Sequence, residues 1–212
     1  MEIKEINGYI LVEKTKDSKS IKESGKNDNL IMKWLGEIIK KNEGSVFNCP
    51  IETVLVGRKH SGDENGNSSY RYGKPVFVLV EDSTIFDIIH PSVLVTSEKS
   101  SDSQKESECN INCDLSNFEV FTGRMHKGDE NGYTTFAISQ LQIDSKRLIK
   151  TEVSASSETV IIDKESNGEW AEKTIELRGK KYNLLMTGFE HHGDENKPTT
   201  YTFTKYTVKI YV

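Results

Sequence analysis

Histidine, aspartate, glutamate and asparagine occur together three times in this chain, each time in the same order and spacing. The pattern is Gly-x-x-His-x-Gly-Asp-Glu-Asn, and its copies span residues 57–65, 123–131 and 188–196. Imidazole and carboxylate side chains can act as general acids and bases, and they can also bind a metal ion. The same groups can contact a polar ligand, so the motif raises three kinds of function: catalysis, metal binding and ligand binding.

Twelve side chains of this motif are the candidate ligand-binding residues. The glycines, aspartates and asparagines also suit a tight turn, because glycine adopts positive φ and aspartate can bond its own downstream backbone. The histidines could likewise serve the fold by bonding the backbone of their own loop. A structural role and a binding role therefore both stay open. The candidates are His60, Asp63, Glu64, Asn65, His126, Asp129, Glu130, Asn131, His191, Asp194, Glu195 and Asn196.

Catalysis fits this arrangement poorly. An active site is normally single and assembled from distant segments, whereas here each copy would hold a complete set on one loop. Fingerprints such as Gly-x-Ser-x-Gly, His-Glu-x-x-His and the phosphate-binding loop are absent from the sequence. We therefore expect a protein that is not an enzyme and that carries no cofactor.

A metal site is an alternative with one favoured geometry. If the three loops point towards a common axis, His60, His126 and His191 could form a three-imidazole site for a transition ion. Calcium is disfavoured, because consecutive Asp-Glu-Asn side chains cannot all face one ion. The cysteines, at positions 49, 109 and 113, are odd in number and indicate free thiols in a reducing compartment.

The period of the motif predicts the organisation of the chain. The first glycines are 66 and 65 residues apart, and the match continues into a Ser/Thr pair and an aromatic residue at Tyr70, Phe136 and Tyr201. Self-similarity at a fixed period is the mark of repeat architectures. The predicted units are 1–81, 82–147 and 148–212, which together form one compact domain.

Each motif is predicted to lie at the tip of a β-hairpin. Apolar stretches lead into the first glycines, and segments rich in Thr, Tyr, Phe and Val follow the motifs. In each following segment the apolar residues change parity once, which predicts a β-bulge at Gly73-Lys74, Ser139-Gln140 and Thr204-Lys205.

Two earlier strands are predicted in each unit, at 3–6 and 9–12, 84–89 and 92–95, and 148–153 and 159–162. Four strands repeated three times resemble the β-trefoil arrangement about a pseudo-threefold axis. A β-prism or three packed β-units is the alternative. Residues 29–41 follow a helical period, so the fold class is all-β with one short helix, inserted in the first unit.

Composition limits the partners. The net charge is −5 and the basic residues are scattered, so we expect no nucleic acid. No apolar run approaches the roughly 20 residues that a membrane helix needs, and no secretory signal begins the chain, so we expect no membrane partner and a cytoplasmic location.

The favoured function is a non-catalytic, multivalent binding protein that presents three hairpin tips to a polar small molecule, a glycan or a protein. One variation counts against three equal sites. The residues after the first glycine are Arg58-Lys59 and Arg124-Met125 in two copies but Phe189-Glu190 in the third. An inhibitor or immunity-type protein, in which the motif is only structural, is therefore the alternative.

Overall fold

The computed structural model describes residues 4–14, 37–41, 46–62, 66–81, 91–128, 131–145 and 148–212. The predicted strand at 84–89 and five candidate residues, Asp63, Glu64, Asn65, Asp129 and Glu130, lie outside this part of the chain. The described residues are almost entirely β, which confirms the all-β class. Their one helical element is a 3₁₀ turn at Leu115–Asn117.

Seventeen strands make up the described part of the chain. In order they are β1 (Glu5–Glu13), β2 (Glu37–Lys41), β3 (Val46–Asn48), β4 (Val54–Ser61), β5 (Asn67–Gly73), β6 (Pro75–Leu79), β7 (Ser92–Ser100), β8 (Gln104–Lys105), β9 (Glu108–Asn112), β10 (Glu119–Lys127), β11 (Tyr133–Asp144), β12 (Lys150–Ile162), β13 (Ala171–Glu172), β14 (Thr174–Leu177), β15 (Lys180–Asn183), β16 (Leu185–His192) and β17 (Thr199–Tyr211).

The strands form three antiparallel sheets. The largest has the order β14-β15-β1-β17-β16-β9, with β12 also pairing β17 and β6 also pairing β1. The second has the order β3-β10-β11-β7, with β8 on β11, and the third has the order β13-β4-β5-β2. No helix long and apolar enough to cross a membrane occurs in the described residues.

The three predicted hairpins are present as β4–β5, β10–β11 and β16–β17, and each encloses one motif at its turn. We call the first strand of each pair the incoming strand and the second the outgoing strand. In every pair the register shifts immediately before the first motif glycine, so the bulged residues are Val56, Thr122 and Thr187. The bulge common to the three hairpins is therefore on the incoming strand.

The bulge predicted at Thr204-Lys205 is wrong. Strand β17 pairs with β12 through thirteen consecutive residues without a shift. The parity of its buried residues changes because opposite faces of this strand contribute to two apolar clusters. Tyr201 and Phe203 belong to one cluster, while Tyr206 and Val208 belong to the other.

The other two predicted positions do interrupt a ladder: the irregularity at Ser139-Gln140 is confirmed, whereas at Gly73-Lys74 one strand ends and the next begins. Strand β5 ends at Gly73 and β6 begins at Pro75, so the chain leaves one ladder and enters another. At Ser139 and Gln140 the register against β7 shifts, and the extra residue is Ser97 of β7, which has φ of 50°.

Two further predictions are corrected. β1 and β12 each form one continuous strand where two were expected, because their ladders with β17 continue through the intervening residues. The predicted helix at 29–41 is wrong over Glu37–Lys41, which is strand β2 paired with β5. Ile38 and Ile39 are β-branched residues that favour strands, and tertiary pairing overrides a weak helical period.

Candidate functional site

The three incoming strands, β4, β10 and β16, pack against one another pairwise. On each strand, the residues one and three positions after the first motif glycine share a face, because side chains alternate along a strand. All six of these side chains are buried. They are Arg58 and His60, Arg124 and His126, and Phe189 and His191.

Each motif histidine bonds within its own hairpin. Its Nδ1 atom lies close to a hydroxyl group of the outgoing strand. The pairs are His60 with Ser68 at 3.1 Å, His126 with Thr134 at 2.9 Å, and His191 with Thr199 at 2.7 Å. In the second and third copies Nε2 donates to the carbonyl of the second motif glycine, over 2.7 Å to Gly128 and 3.1 Å to Gly193. The imidazole therefore connects the two strands and closes the turn.

Arg124 is the centre of one buried group of polar residues. Its guanidinium forms an ion pair with Glu106 and donates to Thr134 Oγ1 over 3.2 Å. The Tyr70 hydroxyl lies 3.5 Å from Nη1. The second carboxylate oxygen of Glu106 lies 2.7 Å from His126 Nδ1. Glu106 thus joins the arginine and the histidine of the same motif.

Arg58 forms a corresponding group with residues far away in the chain. It pairs with the Glu165 carboxylate and donates to the Tyr201 hydroxyl over 2.8 Å and to Ser68 Oγ over 3.1 Å. The other Glu165 oxygen lies 3.5 Å from His191 Nδ1. Glu165 therefore joins the arginine of the first motif to the histidine of the third.

The third copy replaces this polar contact with an apolar one. Phe189 occupies the arginine position of the third motif, and its ring lies 5.4 Å from that of Phe136. Phe136 follows the second motif, at the position that a tyrosine occupies after the first and the third. The guanidinium carbons of Arg58 and Arg124 lie 5.5 and 5.7 Å from the Phe189 ring centroid. Both arginines therefore lie close to the same aromatic ring, to which cations are attracted.

Burial and neighbouring charges shift the pKa values of these groups. Burial by itself raises the pKa of Glu106, but the Arg124 guanidinium and His126 outweigh it and hold that pKa well below its usual range. Burial opposes the charge on Arg124, yet Glu106 keeps its pKa above the ordinary value. For His191, burial lowers the pKa, and Arg58 and Arg124 act in the same direction against the attraction of Glu106.

The two glycines of each motif are required for different reasons. A Cβ on Gly123 would lie 2.7 Å from the Phe47 carbonyl oxygen of β3, and one on Gly57 would lie 3.0 Å from the Ala171 oxygen of β13. The first glycine therefore permits close approach of a neighbouring strand. The second glycine has positive φ in every copy: +97° at Gly62, +105° at Gly128 and +98° at Gly193.

The described tip residues are more accessible than the histidines. Asn131, Asp194 and Asn196 are exposed, and Glu195 is half-buried. Asp194 Oδ1 accepts a hydrogen bond from the Asn196 backbone N–H over 3.0 Å, as expected for a turn aspartate. In its described residues the motif thus divides into a buried part, which contains the histidine, and an accessible tip.

Glu106 and Glu165 were missed among the candidates, although a sequence signal for them exists. Both lie in the tripeptide Lys-Glu-Ser, at 105–107 and 164–166, which also occurs at 22–24, outside the described residues. The serine carbonyls accept from the second motif glycine of another hairpin, Ser107 from Gly193 over 2.9 Å and Ser166 from Gly62 over 3.1 Å. The sequence singled out Arg58 and Arg124 only as a variation between the copies, whereas both are buried at the centre.

The described residues include no group of three or more His, Cys, Asp or Glu side chains that could hold a metal ion. Cys109 and Cys113 are buried free thiols, and burial raises the pKa of Cys109 to about 12. Thiols of this kind are inert as ligands and nucleophiles.

Comparison of the chain with protein-family models, with curated proteins and with solved structures finds no match.

Proposed function

We propose that this chain is a non-catalytic binding protein, in which three repeat units related by a pseudo-threefold axis present three motif tips to a polar ligand or a protein partner. The units are residues 1–81, 82–147 and 148–212, in a β-trefoil-like arrangement. The observation that carries the proposal is the division of the motif into a buried part, whose histidines and arginines make hydrogen bonds and ion pairs within the protein, and a tip whose described residues are accessible.

Strand pairing supports the threefold arrangement. Each incoming strand receives a short strand from a different predicted unit: β3 of the first pairs β10 of the second, β9 of the second pairs β16 of the third, and β13 of the third pairs β4 of the first. In all three ladders the first motif glycine lies opposite the short strand, facing Asn48, Asn112 and Glu172. The first unit thus supplies a strand to the second, the second to the third, and the third to the first. Such a head-to-tail arrangement is typical of a closed ring.

The buried part of the motif favours binding over catalysis. Arg58 and Arg124 are already paired with carboxylates, and His126 and His191 use both ring nitrogens inside the fold. A general acid or base must reach a proton on the substrate. The described tip residues Asp194, Glu195 and Asn196 lie at or near the surface, and three modest contacts combine through effective concentration.

A second candidate is an inhibitor or immunity-type protein in which the motif has only a structural role. The hydrogen bonds from each histidine to its own hairpin favour it. In that case a partner would contact a surface other than the tips.

Glutamine substitution of the tip carboxylates tests the proposal. The tip variant carries Glu64→Gln, Glu130→Gln and Glu195→Gln. The matched control carries the same change at three exposed glutamates away from the tips, Glu98, Glu169 and Glu176. The wild type and both variants are immobilised and incubated with extract of the source cells, and retained proteins and small molecules are identified by mass spectrometry.

We expect one partner to be retained by the wild type and the control but lost from the tip variant. A partner retained equally by all three proteins would favour the second candidate. Failure of the wild type to retain any partner would contradict the binding function.

A further inference from the structure

Among the described strands, β12 has a long edge with which no other strand pairs. It pairs with β17 along its whole length, through thirteen residues without a register shift, and no described strand pairs with its opposite edge. Every side chain from 152 to 159 is exposed, so both faces of the strand are accessible. Such an edge carries a row of backbone donors and acceptors ready to pair with another strand.

The edge strand β7 of the second sheet shows the contrast. Strand β7 is also terminal in its sheet, but its ladder is interrupted at Ser97, which has φ of 50°, and Glu98 and Lys99 follow. Bulges and charged residues are the usual means of keeping an edge from pairing. β12 has no bulge, and residues 153–157 carry no charge.

We infer that β12 is a self-association edge, which pairs antiparallel with β12 of a second copy of this chain about a two-fold axis at Ser154. This inference is independent of the binding function proposed for the motif tips. A two-fold axis perpendicular to the sheet places the same residue of both copies opposite each other, and every other pair is then determined.

Charge complementarity selects the position of the axis. With Ser154 at the centre, Lys150 faces Glu158 of the second copy, twice, and Val153 faces Ala155. Moving the centre by one residue, to Ala155, would place Glu152 opposite Glu158. Opposite charges across strands are stabilising and like charges are destabilising.

A centre at Ser156 is the next possibility. It would place Glu158 opposite Ser154 and Glu152 opposite Val160, so neither carboxylate would face a cation. The register centred on Ser154 pairs both Lys150 and Glu158 and places no like charges together. Glu158 already lies 2.7 Å from Lys173, which would hold its carboxylate at the edge.

The overlap of residues 150–158 extends about 30 Å at about 3.4 Å per residue. An interface of one strand pair is smaller than that of a stable dimer, which buries roughly 1,600 Å² in total. We therefore expect a weak dimer that forms with increasing concentration.

Two lysine substitutions on the same face of β12 test the inference. Ser154→Lys would face its own copy across the axis and bring two positive charges together. Ser156→Lys, two residues away and equally exposed, would face Glu152. Sedimentation velocity from about 1 µM to about 1 mM, a span that covers weak dissociation constants, measures the monomer–dimer equilibrium of the three proteins.

We expect the wild type to dimerise within this range, Ser154→Lys to raise the dissociation constant about tenfold or more, and Ser156→Lys to lower it. Amide hydrogen exchange at 153–157 should slow as the wild-type concentration rises. A wild type that stays monomeric throughout would overturn the inference, and so would equal effects of the two lysines, because these would place any dimer contact elsewhere or in another register.

Discussion

At the scale of single residues, the centre of the molecule contains charges that compensate one another. Arg58 and Arg124 are 1% and 2% exposed, and each contacts one buried glutamate and one tyrosine. In the third copy Phe189 replaces the arginine, and it contacts Phe136 of the second copy where the arginines contact a tyrosine. Equivalent positions of the three copies are thus filled in two ways, by an arginine paired with a glutamate or by a phenylalanine. Neither arrangement leaves a buried arginine without a carboxylate.

The joint replacement of the arginine and its tyrosine partner by two phenylalanines predicts the effect of Arg124→Phe. The substitution leaves the Glu106 carboxylate buried without its main cation, which costs about 3–5 kcal/mol in similar cases. We expect a loss of unfolding free energy of that size, measured by urea denaturation. Adding Glu106→Gln and Tyr70→Phe, which removes the charge and the tyrosine hydroxyl, should recover a large part of it.

The triple variant is the informative control, because it reproduces the apolar contact of Phe189 with Phe136. If it is no more stable than Arg124→Phe alone, the loss comes from misfit of the ring and not from the unpaired carboxylate.

A pH dependence follows from His191. Its pKa is lower in the folded protein than its ordinary value of 6.5, chiefly because of burial. The unfolded chain therefore binds a proton that the folded ring resists, and the free energy of unfolding falls as the pH decreases below about 6.5. Urea denaturation between about pH 5 and pH 7.5 measures this slope, and His191→Gln should reduce it.

The adjacent His192 provides the matched control, because its side chain is exposed on the same strand. His192→Gln shows what the loss of an exposed histidine from this strand does to the slope by itself. Equal slopes in the wild type and His191→Gln would show that the ring is not the source of the dependence.

At the scale of elements, the motif hairpin depends on the approach of a short strand to the first glycine. Beside Gly123, β3 brings the Phe47 carbonyl into the space that a side chain would need. The bulge one residue earlier, at Thr122, is stabilised by a hydroxyl contact with Ser139 over 3.0 Å. The third copy has the same contact between Thr187 and Thr204 over 2.7 Å. The glycine and the bulge together allow the incoming strand β10 to pair with β3 on one side and β11 on the other.

We therefore expect Gly123→Ala to move β3 away from β10. Overpacking of this kind costs about 1–3 kcal/mol, and hydrogen exchange of the β3 amides should accelerate. Gly179→Ala is the comparison, because Gly179 has φ of +74° and no atom within 4 Å of the added methyl group. Its cost should be limited to the left-handed conformation, about 1–2 kcal/mol, without any effect on β3.

Equal acceleration at β3 in both variants would contradict the steric explanation. The two substitutions separate the need for space from the need for positive φ, which a sequence motif alone does not distinguish.

At the scale of the whole molecule, pairing partners come from distant parts of the chain. The largest sheet contains strands from all three sequence-predicted units, including β1, β9 and β17. The division into units at 81 and 147 stays a prediction. The pairing means that each incoming strand has a neighbour that its own predicted unit does not supply.

Much of the local structure could be predicted from the sequence because its causes are local. Turn chemistry identified the three hairpins, and the positive φ of the second glycine follows from the same residues. The aromatic residues Tyr70, Phe136 and Tyr201 recur in register and are all buried. The helix at 29–41 was wrong over β2, because strand pairing with β5 depends on residues about 30 positions later.

The sequence by itself determined the three hairpins and the all-β class seen in the described residues, since spacing and turn residues act over a few positions. Only the tertiary structure decided that Arg58 and Arg124 are buried and that Glu106 and Glu165 neutralise them. Those ion pairs join residues 107 and 18 positions apart, and a buried charge is tolerated only where the fold brings its counter-ion within reach.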